Sequence, residues 1–314
     1  MREAALLAVL LALAPAAASA ASASTGASVL RLPLSARAAA MGGGVSAVAG
    51  GLDSFGVNPA GVAGGDGGRP ELLTSYFTGA ADDSFGFFGY AHPTKLGTPM
   101  AGFSYYDAGN LAVVNLDGTT QNVAAERDFV ASLGWALPLG GGLSIGAIAK
   151  GYKLELAQSA DASGYAADFG ARWQTPLSGL SLGAALLNVG PDVKFEQSGD
   201  PLPRTARGGA AWTYANTTSS EFATEYSGIT VTLSADAVSV RDEGIMAEAG
   251  GEAAVSIGKL TTVSLRLGNQ FNPASDGGLS FGVGVREGRF RGDYALTSRG
   301  ALGNVQDFSI GVRF

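Results

Sequence analysis

The stretch Asp307-Phe308-Ser309-Ile310-Gly311-Val312-Arg313-Phe314 closes the chain. It alternates strictly: Phe308, Ile310, Val312 and Phe314 share one phase, and Asp307, Ser309, Gly311 and Arg313 the other. A period of two marks a β-strand with one apolar and one polar face. An apolar strand left at the edge of a soluble sheet invites pairing with other chains. Pairing this strand back to the first one removes that edge, so the segment argues for a closed barrel.

The same pattern runs backwards through the chain. Leu279, Phe281, Val283 and Val285 alternate with Ser280, Gly282, Gly284 and Arg286. Thr261, Val263, Leu265 and Leu267 alternate with Thr262, Ser264, Arg266 and Gly268, and Leu180, Leu182, Ala184 and Leu186 with Ser181, Gly183 and Ala185. Phe129, Ala131, Leu133, Trp135 and Leu137 share a face. The second phase is small or polar, as the lumen of a membrane barrel requires when its outer face meets lipid; a soluble sandwich would turn the apolar phase inward, and phase alone does not distinguish the two. Strands are expected near Leu72, Ser84, Thr98, Arg127, Leu143, Tyr165, Leu180, Arg204, Ile229, Ile245, Leu260, Leu279, Arg289 and Gln306. Turns are expected at Gly140-Gly141-Gly142, Asp276-Gly277-Gly278 and Glu287-Gly288, with longer outer loops at 107–125 and 215–227. The fold class is therefore all-β and transmembrane: an antiparallel outer-membrane β-barrel of about fourteen strands with a small N-terminal plug containing short helices.

The start of the chain reads as an export signal. Arg2 precedes the apolar run Ala4–Ala14, Pro15 breaks it, and Ala18-Ser19-Ala20 and Ala21-Ser22-Ala23 each fit a cleavage site. The run is short of the ~20 residues of a spanning helix. Residues 1–23 are assigned to the signal peptide, 24–70 to a Gly- and Ala-rich plug and 71–314 to the barrel, with the bacterial outer membrane as destination.

The composition excludes much chemistry. Cys is absent and His92 is the single histidine, which leaves no thiolate site and no histidine cluster. His92 precedes Pro93 at an expected turn, while Asp82-Asp83 and Asp242-Glu243 read as turn or loop acids. The G-x-S-x-G pattern occurs at Gly142-Leu143-Ser144-Ile145-Gly146, Gly179-Leu180-Ser181-Leu182-Gly183 and Gly278-Leu279-Ser280-Phe281-Gly282, but each opens an alternating strand pattern and not the strand-to-helix turn of a nucleophile elbow. Gly282-Val283-Gly284 likewise lies in a strand pattern, outside any dinucleotide-site context. No enzyme activity, cofactor or metal is expected. A net charge of −7 argues against nucleic acid as partner. Tyr76, Phe77, Phe85, Phe87, Phe88, Tyr90, Phe103, Tyr105 and Tyr106 crowd the first three strands, as an aromatic girdle or as an apolar path near the plug.

In the plug, Asn58 is a good helix N-cap and Pro59 suits the first helical position, so a short helix should begin at Asn58-Pro59-Ala60. Gly42, Gly43 and Gly44 allow positive φ or close approach to the wall. Arg37 is expected to pair with an acidic group of the lumen wall. These roles are structural, as is the packing of the plug.

Three passages carry resemblances. The closing strand, with Phe308, Ile310, Val312 and Phe314, resembles the C-terminal signal read by the barrel assembly machinery. Leu30-Arg31-Leu32, then Ala36-Arg37-Ala38-Ala39-Ala40-Met41-Gly42-Gly43-Gly44, then Asn58-Pro59-Ala60-Gly61 resemble the opening of the PorV/PorQ family, a branch of the FadL-type barrels. Leu187-Asn188-Val189-Gly190-Pro191, with Val193-Lys194-Phe195, Pro201-Leu202-Pro203 and Arg207-Gly208-Gly209-Ala210, is similar to the same family's mid-barrel pattern. The resemblance implies a role in secretion or surface attachment of exported proteins, with secreted proteins or secretion components as partners. The wider FadL-type resemblance implies uptake of hydrophobic small molecules through a plugged lumen with a lateral opening. A purely structural outer-membrane protein is the third reading. Outer-membrane lipid is the partner common to all three.

Overall fold

A computed structural model of the chain describes residues 25–63, 68–79, 83–114, 118–195, 198–216, 228–258, 260–271, 278–300 and 303–314. The expected signal peptide, Asp82, Asp276, Gly277 and residues 217–227 of the second long loop lie outside the described residues.

The strands are β1 (Glu71–Thr78), β2 (Ser84–Ala91), β3 (Thr98–Asp107), β4 (Asn110–Val114), β5 (Thr120–Ala124), β6 (Glu126–Gly140), β7 (Leu143–Leu156), β8 (Ala160–Gln174) and β9 (Leu180–Val189). They continue as β10 (Val193–Phe195), β11 (Ser198–Asp200), β12 (Thr205–Asn216), β13 (Gly228–Val240), β14 (Gly244–Ile257), β15 (Thr261–Phe271), β16 (Leu279–Glu287), β17 (Phe290–Ser298) and β18 (Asn304–Arg313). Fourteen of them form one closed antiparallel barrel; β4–β5 and β10–β11 are separate two-stranded hairpins. Closure runs through β1 and β18, from Glu71↔Arg313 to Thr78↔Gln306. The final residue extends it, since the Phe314 N–H donates to the Pro70 carbonyl at 3.0 Å. The expected strand starts agree with this ring; the largest offset is at β8, which begins at Ala160 rather than Tyr165.

Local chemistry explains the turns. Gly140, Gly141 and Gly142 all take positive φ (87°, 59° and 81°), which lets β6 and β7 reverse with almost no loop. Asp242 (φ 62°) turns β13 into β14. The 107–125 stretch departs from the expected loop in containing the hairpin β4–β5. The expectation that both long loops face outward also needs correcting. Successive strands run antiparallel, so β3 and β6 are joined at the end of the ring opposite the chain termini, and β12 and β13 at the end shared with Glu71 and Arg313.

The outer face is apolar: Leu133 is 70% exposed and Leu267 62%, while Phe281, Val283, Phe308 and Ile310 are exposed beside buried Ser280, Gly282, Asp307 and Ser309. No helix among the described residues is long and apolar enough to cross a membrane. A closed ring of strands with an outward apolar belt meets the requirement that every backbone group in lipid be paired internally.

The lumen is divided. From β12 onward its wall is polar, as the pattern implied: Asp236, Glu248, Glu252, Arg266, Arg291 and Asp293 are buried, and Arg207 is half-buried. From β1 to β8 it is largely apolar, contrary to that pattern, with Leu73, Phe77, Phe85, Phe87, Met100, Val130, Ile148 and Leu154 buried. The aromatic crowd is split accordingly. Phe77, Phe85, Phe87 and Tyr106 join the internal cluster, whereas Tyr76, Phe88, Tyr90 and Phe103 are exposed on the outer face. Leu52, Phe55 and Val62 of the N-terminal segment complete the internal cluster, which is why the wall can be apolar there.

A Leu265→Arg substitution places a charge in the outer belt and should destabilise the barrel in lipid vesicles by roughly 2–4 kcal/mol. Leu265→Ala should cost clearly less, and equal losses in urea unfolding would contradict a lipid-facing belt.

Candidate functional site

Residues 25–63 fill the lumen. They enter at the end opposite Glu71, where the Gly26 N–H donates to the Pro201 carbonyl at 3.0 Å beside the β10–β11 hairpin, and they leave toward Pro70 at the other end. The segment contains short 3-10 turns at Ser28–Arg31, Gly51–Ser54 and Pro59–Val62, and one α-helix, α1 (Ala36–Ala40). Ser35 caps α1 by accepting from the Ala38 N–H at 3.1 Å. Five residues form no stable helix alone; α1 is held because its Ala side chains fit against β16 and β17.

Arg37 projects from α1 into a cycle of alternating charge. Its Nε and Nη2 each lie 2.8 Å from a carboxylate oxygen of Glu252. Glu252 accepts from Arg266 Nε at 2.6 Å, and Arg266 Nη1 reaches Asp293 Oδ1 at 2.7 Å. Asp293 Oδ2 is 2.9 Å from Arg291 Nε, and Arg291 forks onto both oxygens of Asp53 at 2.6 and 3.0 Å. Asp53 Oδ2 closes the cycle 3.6 Å from Arg37 Nη1. Three guanidiniums and three carboxylates thus balance, and Arg37 and Asp53 belong to the plug while the other four belong to the wall. Burial favours the neutral form of Asp53, but Arg291 and Arg37 outweigh it and hold its carboxyl below the ordinary range. For Arg37, burial is likewise outweighed by Glu252 and Asp53, which raise it. A lowered carboxyl contributes stability above its unfolded pKa of about 3.9 and loses it as pH falls through the still lower folded value. The Asp53 tie is therefore intact at mildly acid pH.

The other plug residues singled out by sequence sit against the wall in the same way. Met41 is fully buried. Gly42 has φ 65°, and a Cβ there would lie 2.6 Å from the Asn269 backbone N. The Gly43 carbonyl accepts from Arg207 at 3.1 Å, and Arg207 also pairs with Glu248. Asn58 caps the Pro59–Val62 turn through the Ala60 N–H at 3.1 Å, and its amide donates to Ser46 O at 2.7 Å and to wall Ala171 O at 3.0 Å. The Ala60 carbonyl accepts from Ser144 on β7 at 3.1 Å, and Gly61 packs on Ser54.

The mid-barrel residues gather at a break in the wall. Asn188 takes φ 57°. Its Oδ1 accepts from Lys150 Nζ at 2.8 Å, its N–H donates to Asp168 at 2.8 Å, and its amide reaches Pro203 O at 3.3 Å. Lys150 Nζ also meets Asp168 Oδ2 at 2.7 Å. The β8–β9 register shifts here, and pairing begins only at Ala167↔Val189. Residues Ala160–Ala166 of β8 thus pair with β7 on one side and with no ring strand on the other. Buried Val193 and Leu202 from the 190–204 segment cover that seam, with Gly190 against the Tyr165 carbonyl and Pro191 exposed. At the ring closure, Phe308 lies outward against Tyr294, ring centroids 4.9 Å apart; Ile310 is exposed and Val312 half-buried.

The sequence reading missed most of the charge cycle. Glu252, Arg266, Arg291 and Asp293 were visible as charges in the inward phase of their strands; their mutual contacts were not. His92 lies on the surface beside Tyr90, its Nδ1 2.8 Å from the hydroxyl. Among the described residues no acidic or His cluster could hold a metal.

Above the plug, toward the end opposite the termini, lies a cavity of about 430 Å³. Its lining includes Leu30 and Leu34 of the plug, Val238, Val240 and Met246 of the wall, and Asp307.

No family model and no curated protein matches the chain, so the PorV/PorQ resemblance rests on motifs alone. Solved structures do match. The Pseudomonas putida toluene transporter TodX superposes with TM-score 0.55 at 13% identity, covering 89% of this chain and 98% of that one. The Ralstonia pickettii toluene transporter TbuX gives 0.54 at 13%, covering 89% and 98%, and the monoaromatic hydrocarbon channel CymD 0.54 at 12%, covering 90% and 98%. The chain has the outer-membrane β-barrel fold. At such identity the likeness is one of fold, and it extends over nearly all of the described ring.

Arg37→Met leaves Glu252 with Arg266 alone and unbalances the cycle, so the plug should loosen by about 1–3 kcal/mol. Raised single-channel conductance and faster proteolysis within 35–63 would report this; Gly42→Val, which clashes with β15, should act in the same direction.

Proposed function

We propose that the protein is an outer-membrane channel for hydrophobic small molecules, a FadL-like barrel reached by export with removal of residues 1–23. The carrying observation is the apolar wall of the plugged lumen, from Leu73 and Phe87 through Ile148 to Leu154, running to the seam beside β8. Water gains nothing from such a wall, whereas an aromatic or aliphatic solute leaves water on meeting it. Solutes enter at the end opposite the termini, pass along the apolar wall as Leu52, Phe55 and Val62 of the plug give way, and leave sideways where Val193 and Leu202 replace a paired strand. The toluene and monoaromatic specificities named for TodX, TbuX and CymD support this substrate class. The charge cycle keeps the plug seated, so water and ions do not follow the solute.

The PorV/PorQ motifs support a second reading, in which the barrel holds an exported protein at the surface. Arg37, Gly42, Gly43 and Asn58, with Asn188, Gly190, Pro191, Leu202 and Pro203, carry that resemblance. Secreted proteins would then co-purify with the barrel from membranes.

Loss of the protein should slow cellular uptake of toluene or long-chain fatty acids several-fold, with recovery on re-expression. Unchanged uptake across aromatic hydrocarbons and fatty acids would remove the transport reading, and recovery of bound secreted cargo would favour the second.

A further inference from the structure

The cavity above the plug contains one acidic group that the charge pairing passes over. Of the carboxylates lining it, Asp53 is forked by Arg291 and Glu248 is paired with Arg207. Asp307 is 3% exposed, and its Oδ2 has no hydrogen-bond partner among the described residues. Its cross-strand neighbours explain why. On β1 it faces Phe77 and on β17 it faces Ala295, neither of which can donate from its side chain. A buried acceptor left unmet is costly, and a donor arriving from the cavity relieves that cost.

The rest of the cavity has two characters. Leu30, Val238, Val240 and Met246 supply an apolar side, and the last three form a buried cluster of their own. Ser280 and Thr297 lie on the same polar side as Asp307, their hydroxyls 3.1 Å apart and bonded to each other. The volume is in the range of small-molecule sites, in which a few polar groups orient a mostly apolar ligand. Arg299 also lines the cavity. A cationic head would meet that guanidinium, and a neutral hydroxyl would not.

We propose that this cavity is a binding site for a small amphipathic alcohol or phenol, whose hydroxyl donates to Asp307 and whose body lies against Leu34 and Val305, which line the cavity on the same side. The inference deepens the transport reading: the channel selects solutes that carry a hydroxyl over bare hydrocarbons at its entrance.

Titration calorimetry on the purified barrel in detergent, with p-cresol, 4-methylanisole, toluene and benzylamine, tests it. The wild-type protein should bind p-cresol about tenfold tighter than 4-methylanisole or toluene, the gain of one hydrogen bond. Asp307→Leu should abolish that preference and leave toluene binding unchanged. Asp307→Asn, which keeps a carbonyl acceptor at nearly the same volume, should retain it. The comparison of p-cresol with its methyl ether needs no variant, so the test stands even where Asp307→Leu fails to fold. Equal affinities for the two, tightest binding by benzylamine, or no binding of any probe would overturn the proposal. Toluene uptake that persists without a cresol preference would sink this inference alone, whereas absence of all uptake would sink the transport reading beneath it.

Discussion

Pairing of the first ring strand with the last is the constraint on which the structure depends. An open sheet would present the N–H and C=O groups of β1 and β18 to hydrocarbon, at a cost of several kcal/mol for each unmet group. The register from Glu71↔Arg313 to Thr78↔Gln306 leaves no such edge. Because side chains alternate, this register also commits Phe308 and Ile310 to lipid and Asp307 and Ser309 to the lumen. A slip of one residue would reverse both assignments. Polar groups at Asp307 and apolar groups in the belt are thus consequences of one ring closure.

A ring of this size is too wide to be filled by its own inward side chains. The N-terminal segment supplies the missing volume, and it does so with two chemistries at once. Leu52 and Phe55 meet the apolar wall, while Arg37 and Asp53 enter the charge cycle on the polar wall. Buried ion pairs are weak sources of net stability, because desolvation offsets their attraction. Their strength is in orientation: two guanidiniums meeting carboxylates through paired contacts allow one seating of the plug, and charge balance removes the reason for water to enter. The apolar contacts hold the segment in the lumen and the charges set its position.

The division of the lumen also separates two tasks. In the proposed channel the apolar wall, from Leu73 to Leu154, would be the route for solutes that leave water readily. Asp307 stands at the top of the opposite, polar wall, where it lines the cavity and has one carboxylate oxygen without a hydrogen-bond partner among the described residues. The seam beside β8 follows from backbone geometry. Asn188 turns left-handed, held by Lys150 and Asp168, and the chain departs from the wall there. Loop residues then cover Ala160–Ala166 of β8, which have a ring strand on one side alone.

Local pattern was enough to place the ring strands, their turns and the outward belt. Alternation and glycine turns are short-range properties, readable within about ten residues of chain. The Asn58-Pro59 cap and the close approach of Gly42 were legible for the same reason, since capping and positive φ are decided by neighbouring atoms. The inner face was harder. Apolar residues such as Phe77, Phe85 and Met100 point inward because the plug is there to meet them, and no periodicity reports the presence of a distant segment. The acidic partner expected for Arg37 was legible as a need; that Glu252 meets it, 215 residues away, was decided by the fold. The sequence by itself determined the closed antiparallel barrel and the kinds of side chain on each strand. Only the tertiary structure decided which inward charges cancel one another and which carboxylates, Asp307 and Asp128 among them, keep an oxygen without a hydrogen-bond partner among the described residues, because pairing across a lumen depends on the position of every strand in the ring.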